Sequence, residues 1–130
     1  MNHNESNFNE PYAGFEKDGQ LYFWRVSRLW ELSKDLKTFE YEIKNFNGFD
    51  QDVWFGTQLK PTLKNILDHF NKIERADLNF PIILNQDGIV LDGIHRICKA
   101  HVAGLKTIQA VQFEEDPAPD RIEKLIQNSE

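Results

Sequence analysis

Residues 90–105, VLDGIHRICKAHVAGL, place an aspartate, a glycine, a histidine and an arginine where an apolar run ends and a helical pattern begins. The start of a helix carries N–H groups without intrahelical partners and the positive end of the helix dipole, so an anion is stabilised there before any side chain contributes. Gly93 allows close approach to the backbone. The His95 imidazole donates or accepts a proton near neutral pH, and the Arg96 guanidinium can fork onto phosphate oxygens. Gly93, Ile94, His95 and Arg96 are thus a candidate phosphate receptor, with Asp92 and His95 as the candidate catalytic pair. A carboxylate at position 92 would repel a bare phosphate unless it caps the helix, binds a metal or orients His95, and the sequence leaves those three roles open.

Within the helix that follows, Ile94, Ile97, Cys98, His101 and Leu105 recur at three- and four-residue intervals and form the face expected to meet a sheet. His95, Lys99 and Val102 lie on another face. Cys98 reads as a small core residue rather than a nucleophile, His101 as a packing or capping group that offsets the dipole, and Gly104 as the stop.

The elements that must hold this corner are also visible. LYFWRV (21–26) is a β-prone run, after which Ser27 is expected to cap a short helix, RLWELSKDL. TFEYEI (38–43) alternates Phe39, Tyr41 and Ile43 against Glu40 and Glu42, a strand with one wet face. The loop 44–60 is aromatic, and Phe46, Phe49, Trp54 and Phe55 are expected to fold back as a cover. Leu63, Ile66, Leu67, Phe70 and Ile73 mark a helix over 61–76, with Thr62 near its start. Runs 81–85 and 89–92 read as a hairpin around Gln86, Asp87 and Gly88, 107–113 as a further strand, and RIEKLIQN (121–128) as a small terminal helix. Residues 1–18 read as a flexible lead-in and 19–130 as one compact domain: an α+β fold with a small mixed sheet and packed helices.

Composition narrows the function classes. A chain of 130 residues with 40% hydrophobic content supports one core, and the net charge of -6 repels polyanions, which argues against a DNA partner. One cysteine excludes an internal disulfide and fits a reduced, cytoplasmic setting. No apolar run approaches the ~20 residues that span a bilayer.

PIILNQDGIVLDGIHRICKAHVAGLKTIQAVQF (81–113) resembles the central signature of the ParB/sulfiredoxin superfamily: Pro-Ile before a strand, a turn, Asp-Gly-x-His-Arg, a helix with Ala-x-x-x-Gly, and a strand. The helix 61–76 fits the family in position. The resemblance implies a nucleotide-binding fold, with the phosphates of ATP, ADP or CTP on Gly93, His95 and Arg96 and a Mg2+ ion bridging them. It also implies that Thr62 and Lys64, with Lys60 behind them, are phosphate contacts, and that Asp92 matches the acidic residue of serine-kinase-like members. The activity expected is a Mg2+-dependent phosphotransferase or hydrolase acting toward a small-molecule or protein phosphoacceptor. The alternative, shared with short bacterial relatives labelled ParB-like nucleases, is a noncatalytic DNA-associated or protein-adaptor module. Sulfiredoxins carry their reactive cysteine where this chain has Ile94, so their sulfinic-acid chemistry does not transfer, and Cys98 does not replace it.

Overall fold

The computed structural model describes residues 11–55 and 59–125. The chain divides into two compact units. The first comprises the chain up to Leu36, Ile83–Asp92 and the chain from Gln112 onward; the second comprises Lys37–Ile82 and Gly93–Val111.

In the first unit, β1 (Tyr12–Lys17) and β2 (Gln20–Arg25) form an antiparallel hairpin whose register pairs Tyr12 with Arg25 and Lys17 with Gln20. Its two-residue turn is Asp18-Gly19, both at positive φ, the conformation that matches the twist of the flanking strands. Residues 12–17 were expected to be part of a loose lead-in; they form β1, with Ala13 buried. Residues 1–10 of that lead-in lie outside the described residues. Helix α1 (Val26–Ser33) follows β2 directly, with Arg25 at the N-cap and no side-chain cap, so Ser27 lies inside the helix instead of capping it. Trp24 and Leu29 are buried here, and the Trp24 indole N–H donates to the Pro117 carbonyl at 2.8 Å.

The end of the chain departs from the expected helix. Residues Arg121–Lys124 form a strand, β7, paired antiparallel with β2 from Gln20–Lys124 to Phe23–Arg121. Ile126 and residues 127–128 of the expected helix lie outside the described residues. The spacing of Ile122 and Leu125 suits a helix, but β2 offers a free strand edge, and a ladder of backbone hydrogen bonds outweighs a few tenths of a kcal/mol of propensity per residue. Asp120 fixes the entry to this strand, its carboxylate accepting from the Arg25 N–H at 2.8 Å and its own N–H donating to the Phe23 carbonyl.

The expected hairpin is present as β4 (Ile82–Leu84) and β5 (Val90–Asp92), with Ile83 opposite Asp92. Its turn is organised by Asn85, whose side-chain oxygen accepts from the N–H groups of Asp87 and Ile89, while Gly88 takes a positive φ.

The second unit contains β3 (Phe39–Glu42), a short 3-10 turn (Ile43–Asn45), helix α2 (Leu63–Arg75), helix α3 (Ile94–Val102) and β6 (Thr107–Gln112) up to Val111. β3 and β6 pair antiparallel, Tyr41 facing Ile108, and both side chains are buried with Ile43, Ile82, Ile97, Ala100, Ala110 and Val111. The strands hydrogen-bond in the orders β1-β2-β7 and β3-β6-β4-β5. The chain is thus α+β. Among the described residues no helix is long and apolar enough to cross a membrane.

Candidate functional site

Helix α3 opens at Gly93, which takes φ 118 and ψ 17. This glycine is required by packing: a Cβ built on it would lie 2.5 Å from the Ile82 Cγ2. The room left by its missing side chain is therefore filled by Ile82, not kept for a ligand. The first helical hydrogen bond runs from the Ile97 N–H to the Gly93 carbonyl, so the N–H groups of residues 94–96 precede the ladder. Gly104 ends the segment at φ 81, with the Leu105 N–H returning to the Ala100 carbonyl.

Arg96 points inward. Only 9% exposed, it donates from Nη1 to the carbonyls of Phe80 and Pro81 at 3.3 and 3.2 Å. The expected phosphate fork is thus engaged with the chain's own backbone, tying α3 to the segment that leads into β4. Lys99, one turn further, donates from Nζ to the carbonyls of Glu74 and Ala76, both at 2.8 Å. It thereby satisfies carbonyls at the end of α2 and places a cation at the negative end of that helix dipole. Two bases of α3 thus hold both ends of the connection between α2 and β4, and this fixes how α2 lies against α3.

The consequence is a histidine pair that spacing in the sequence did not reveal. His69, in the middle of α2, sets its Nδ1 2.8 Å from the Nε2 of His95 on the first turn of α3. The two rings are nearly parallel, 14° apart with centroids 5.1 Å apart, so one nitrogen carries the proton and the other accepts it. Trp54 lies flat across both, 4.1 Å and 10° from His69, 4.9 Å and 9° from His95. Phe55 meets His69 edge-on at 5.5 Å. Burial lowers the His69 pKa, the Lys72 ammonium adds to that, and Asp68 opposes it, so the imidazole is held toward its neutral form.

The aromatic loop therefore does cover the helical layer, as its composition suggested. Phe49 meets Phe46 edge-on at 5.0 Å and lies over His101 at 4.4 Å, so His101 is an exposed helix-end residue with an aromatic neighbour and not part of the sheet-facing side. Under the loop is a cavity of about 270 Å³, lined mainly by Phe46, Phe49, Val53, Trp54, Ile94 and Cys98. Burial raises the Cys98 pKa, which keeps the sulfur a thiol at neutral pH, in keeping with a packing role.

The other expected contacts are placed differently. Thr62 is the N-cap of α2; its hydroxyl accepts from the Asn65 N–H at 3.2 Å, while the Asn65 side chain donates to the Lys60 carbonyl. Lys64 is exposed on the first turn. Asp92, in the first unit, closes β5, and its Oδ2 accepts from the Trp30 indole N–H at 2.9 Å; the N-cap position of α3 is held by Gly93. Glu40 and Glu42 lie exposed on β3, as the wet face of that strand. Among the described residues no group of three or more His, Cys, Asp or Glu side chains is arranged to hold a metal ion.

No family model matches the chain, and neither a curated protein nor a solved structure is found to be similar to it.

Proposed function

We propose that the chain is a ParB/sulfiredoxin-like domain that binds a nucleotide, with phosphate oxygens at the start of α3 and the His69–His95 pair as their side-chain partner. The hydrogen-bonded histidines carry this reading. A neutral pair sharing one proton presents a donor and an acceptor at a site where helix N–H groups already favour negative charge. Support also comes from the order α2, β4, β5, α3, β6, which is the order the sequence resemblance implies.

The roles within the site follow from the geometry. His95 is the residue that meets a phosphate oxygen, and His69 fixes its ring orientation and exchanges the proton between them. Gly93 and Arg96 set the position of the corner without touching the ligand. Trp54 covers the histidines, and the apolar cavity behind it suits the non-phosphate part of a ligand. ATP is the preferred nucleotide. Mg2+ accompanies it as a companion of the phosphates, because this ion keeps several waters and needs few protein ligands; when bound, it supplies neutralisation of phosphate charge.

A second reading, a noncatalytic adaptor, draws on Arg96 and Gly93, which are both used for packing. Calorimetric titration of ATP, ADP and CTP, with and without Mg2+, separates the two. Saturable binding that weakens about tenfold or more in His95→Ala, a loss of about 1.4 kcal/mol, is expected. Absence of binding by the unmodified chain, or equal affinity in a folded His95→Ala variant, would overturn the nucleotide reading. Binding without any change in the nucleotide over time would assign a ligand-dependent adaptor.

A further inference from the structure

The aromatic loop rests on the helices through histidines. Phe49 lies over His101 with ring centroids 4.4 Å apart, Trp54 lies over both His69 and His95, and Phe55 meets His69. Three of the chain's four histidines thus carry the cover above Ile94 and Cys98. The two ends of the cover respond to a proton in opposite ways. His101 is in the last turn of α3, at the negative end of its dipole, and a charge on that ring strengthens the contact with the Phe49 face. Glu42, Lys44 and Lys106 line the hollow beside it, and the 3.3 Å pairing of Lys44 with Glu42 leaves Lys106 to oppose that charge.

At the other end, His69 and His95 face each other, with His95 in the first turn of α3 at the positive end of the dipole. One added proton leaves a donor and an acceptor on the facing nitrogens, and the hydrogen bond is kept. Two added protons leave two donors and two like charges across a 2.8 Å contact. Around the pair, Asp68 of α2 favours positive charge and Lys72 opposes it. On α3, Arg96 and Lys99 are held on backbone carbonyls, and the Cys98 thiol lines the cavity. Asp52 of the loop also lines the cavity, its carboxylate accepting from the Phe55 N–H at 2.8 Å. We propose that the loop is an acid-opened lid: a second proton on the His69–His95 pair turns the rings apart and releases Trp54 and Phe55, while Phe49 stays on His101. The closed pair admits one added proton and the open pair two, since imidazoles in water titrate near pH ~6.5. Below that pH the open form carries one proton more, so its population rises about tenfold per unit fall in pH. The lid uses the geometry of the pair alone and does not depend on a nucleotide.

Cys98 is the chain's single cysteine and lines the covered cavity, so its reaction with dithiodipyridine reads the lid. Rates are measured from about pH 7.5 to about pH 5, each divided by the rate of the urea-unfolded chain at the same pH to remove the titration of the thiol itself. The normalised rate is expected to rise about tenfold per pH unit below about pH 6.5, with an unchanged far-ultraviolet circular dichroism spectrum. His69→Gln and, as a second variant of the pair, His95→Gln hold at most one proton between them and are expected to stay slow across the range. Trp54→Ala is expected to react fast at every pH. A flat normalised rate in the unmodified chain overturns the proposal, as does an equal rise in the glutamine variants or a rise that coincides with loss of helical signal. A Trp54→Ala variant no faster than the unmodified chain at neutral pH removes the loop as the lid.

Discussion

Helices α2 and α3 belong to the same unit and carry the same kind of apolar periodicity, yet they are used in opposite ways. α3 buries Arg96, Ile97 and Ala100 and spends two of its bases on backbone carbonyls; α2 buries nothing and leaves its leucines and Phe70 exposed. Their inner sides meet through polar contacts that include His69 to His95 and Lys99 to the Glu74 carbonyl. The difference teaches that three-four spacing specifies a helix and a face, but not what covers the face. α3 is the structural member, and α2 the one with surface to spare.

The comparison breaks first at paired truncations. Ile97 is fully buried, so Ile97→Ala removes packed atoms and leaves a cavity, with an expected cost of about 3 kcal/mol. Leu67→Ala is expected to cost less than about 0.5 kcal/mol, because its side chain is already largely in water. Urea unfolding of both variants measures the contrast. Similar losses would mean that α2 is as deeply committed to the core as α3.

A smaller effect is expected at Arg96. Arg96→Met keeps the length of the side chain but leaves the Phe80 and Pro81 carbonyls without this donor, at an expected cost of about 2 kcal/mol. The same substitution loosens the connection between α2 and β4, so the Trp54–His69–His95 stack should weaken with it. A rise in exposure of Trp54 to a collisional quencher, read against a Trp54→Phe background, would report this. An unchanged midpoint in denaturant would return Arg96 to the surface role that its sequence context suggested.

Much of this was legible in the residues themselves. Thr62 announces α2, Gly104 ends the segment begun by α3, and Gly88 marks the hairpin turn, because these are local backbone requirements that a residue either meets or does not. The Asp18-Gly19 turn belongs to the same class and was the overlooked signal for β1, since Asp-Gly between aromatic runs marks a two-residue hairpin. Strand β7 was not legible, because its pairing with β2 spans about a hundred residues of sequence and overrides a weak helical pattern. At the site, the corner at 93–96 was visible, but His69 was not. Nothing within the DHF segment signals that its histidine meets His95, which requires knowing how α2 lies on α3. Nor does the Gly-x-His-Arg string reveal that Arg96 turns inward; the nearby carbonyls of Phe80 and Pro81 decide that.

The smallest expected effect lies in the contact between the two helices and is read through pH. Burial and Lys72 hold the His69 pKa below its ordinary value of 6.5, Asp68 working against them. The unfolded chain therefore binds a proton at His69 at a higher pH than the folded chain does. Stability from the neutral imidazole is fully present above about pH 6.5 and is lost as pH falls through the lower folded value. Protonation of His69 also turns its Nδ1 into a donor, so the contact with the His95 Nε2 is kept only where that nitrogen is the acceptor. The midpoint of thermal unfolding should thus decline on the acid side of pH 6.5 more steeply in the unmodified chain than in His69→Gln, which carries no titrating group there. Equal slopes would mean that the pair forms without energetic consequence for the fold, leaving α3 to hold the corner alone.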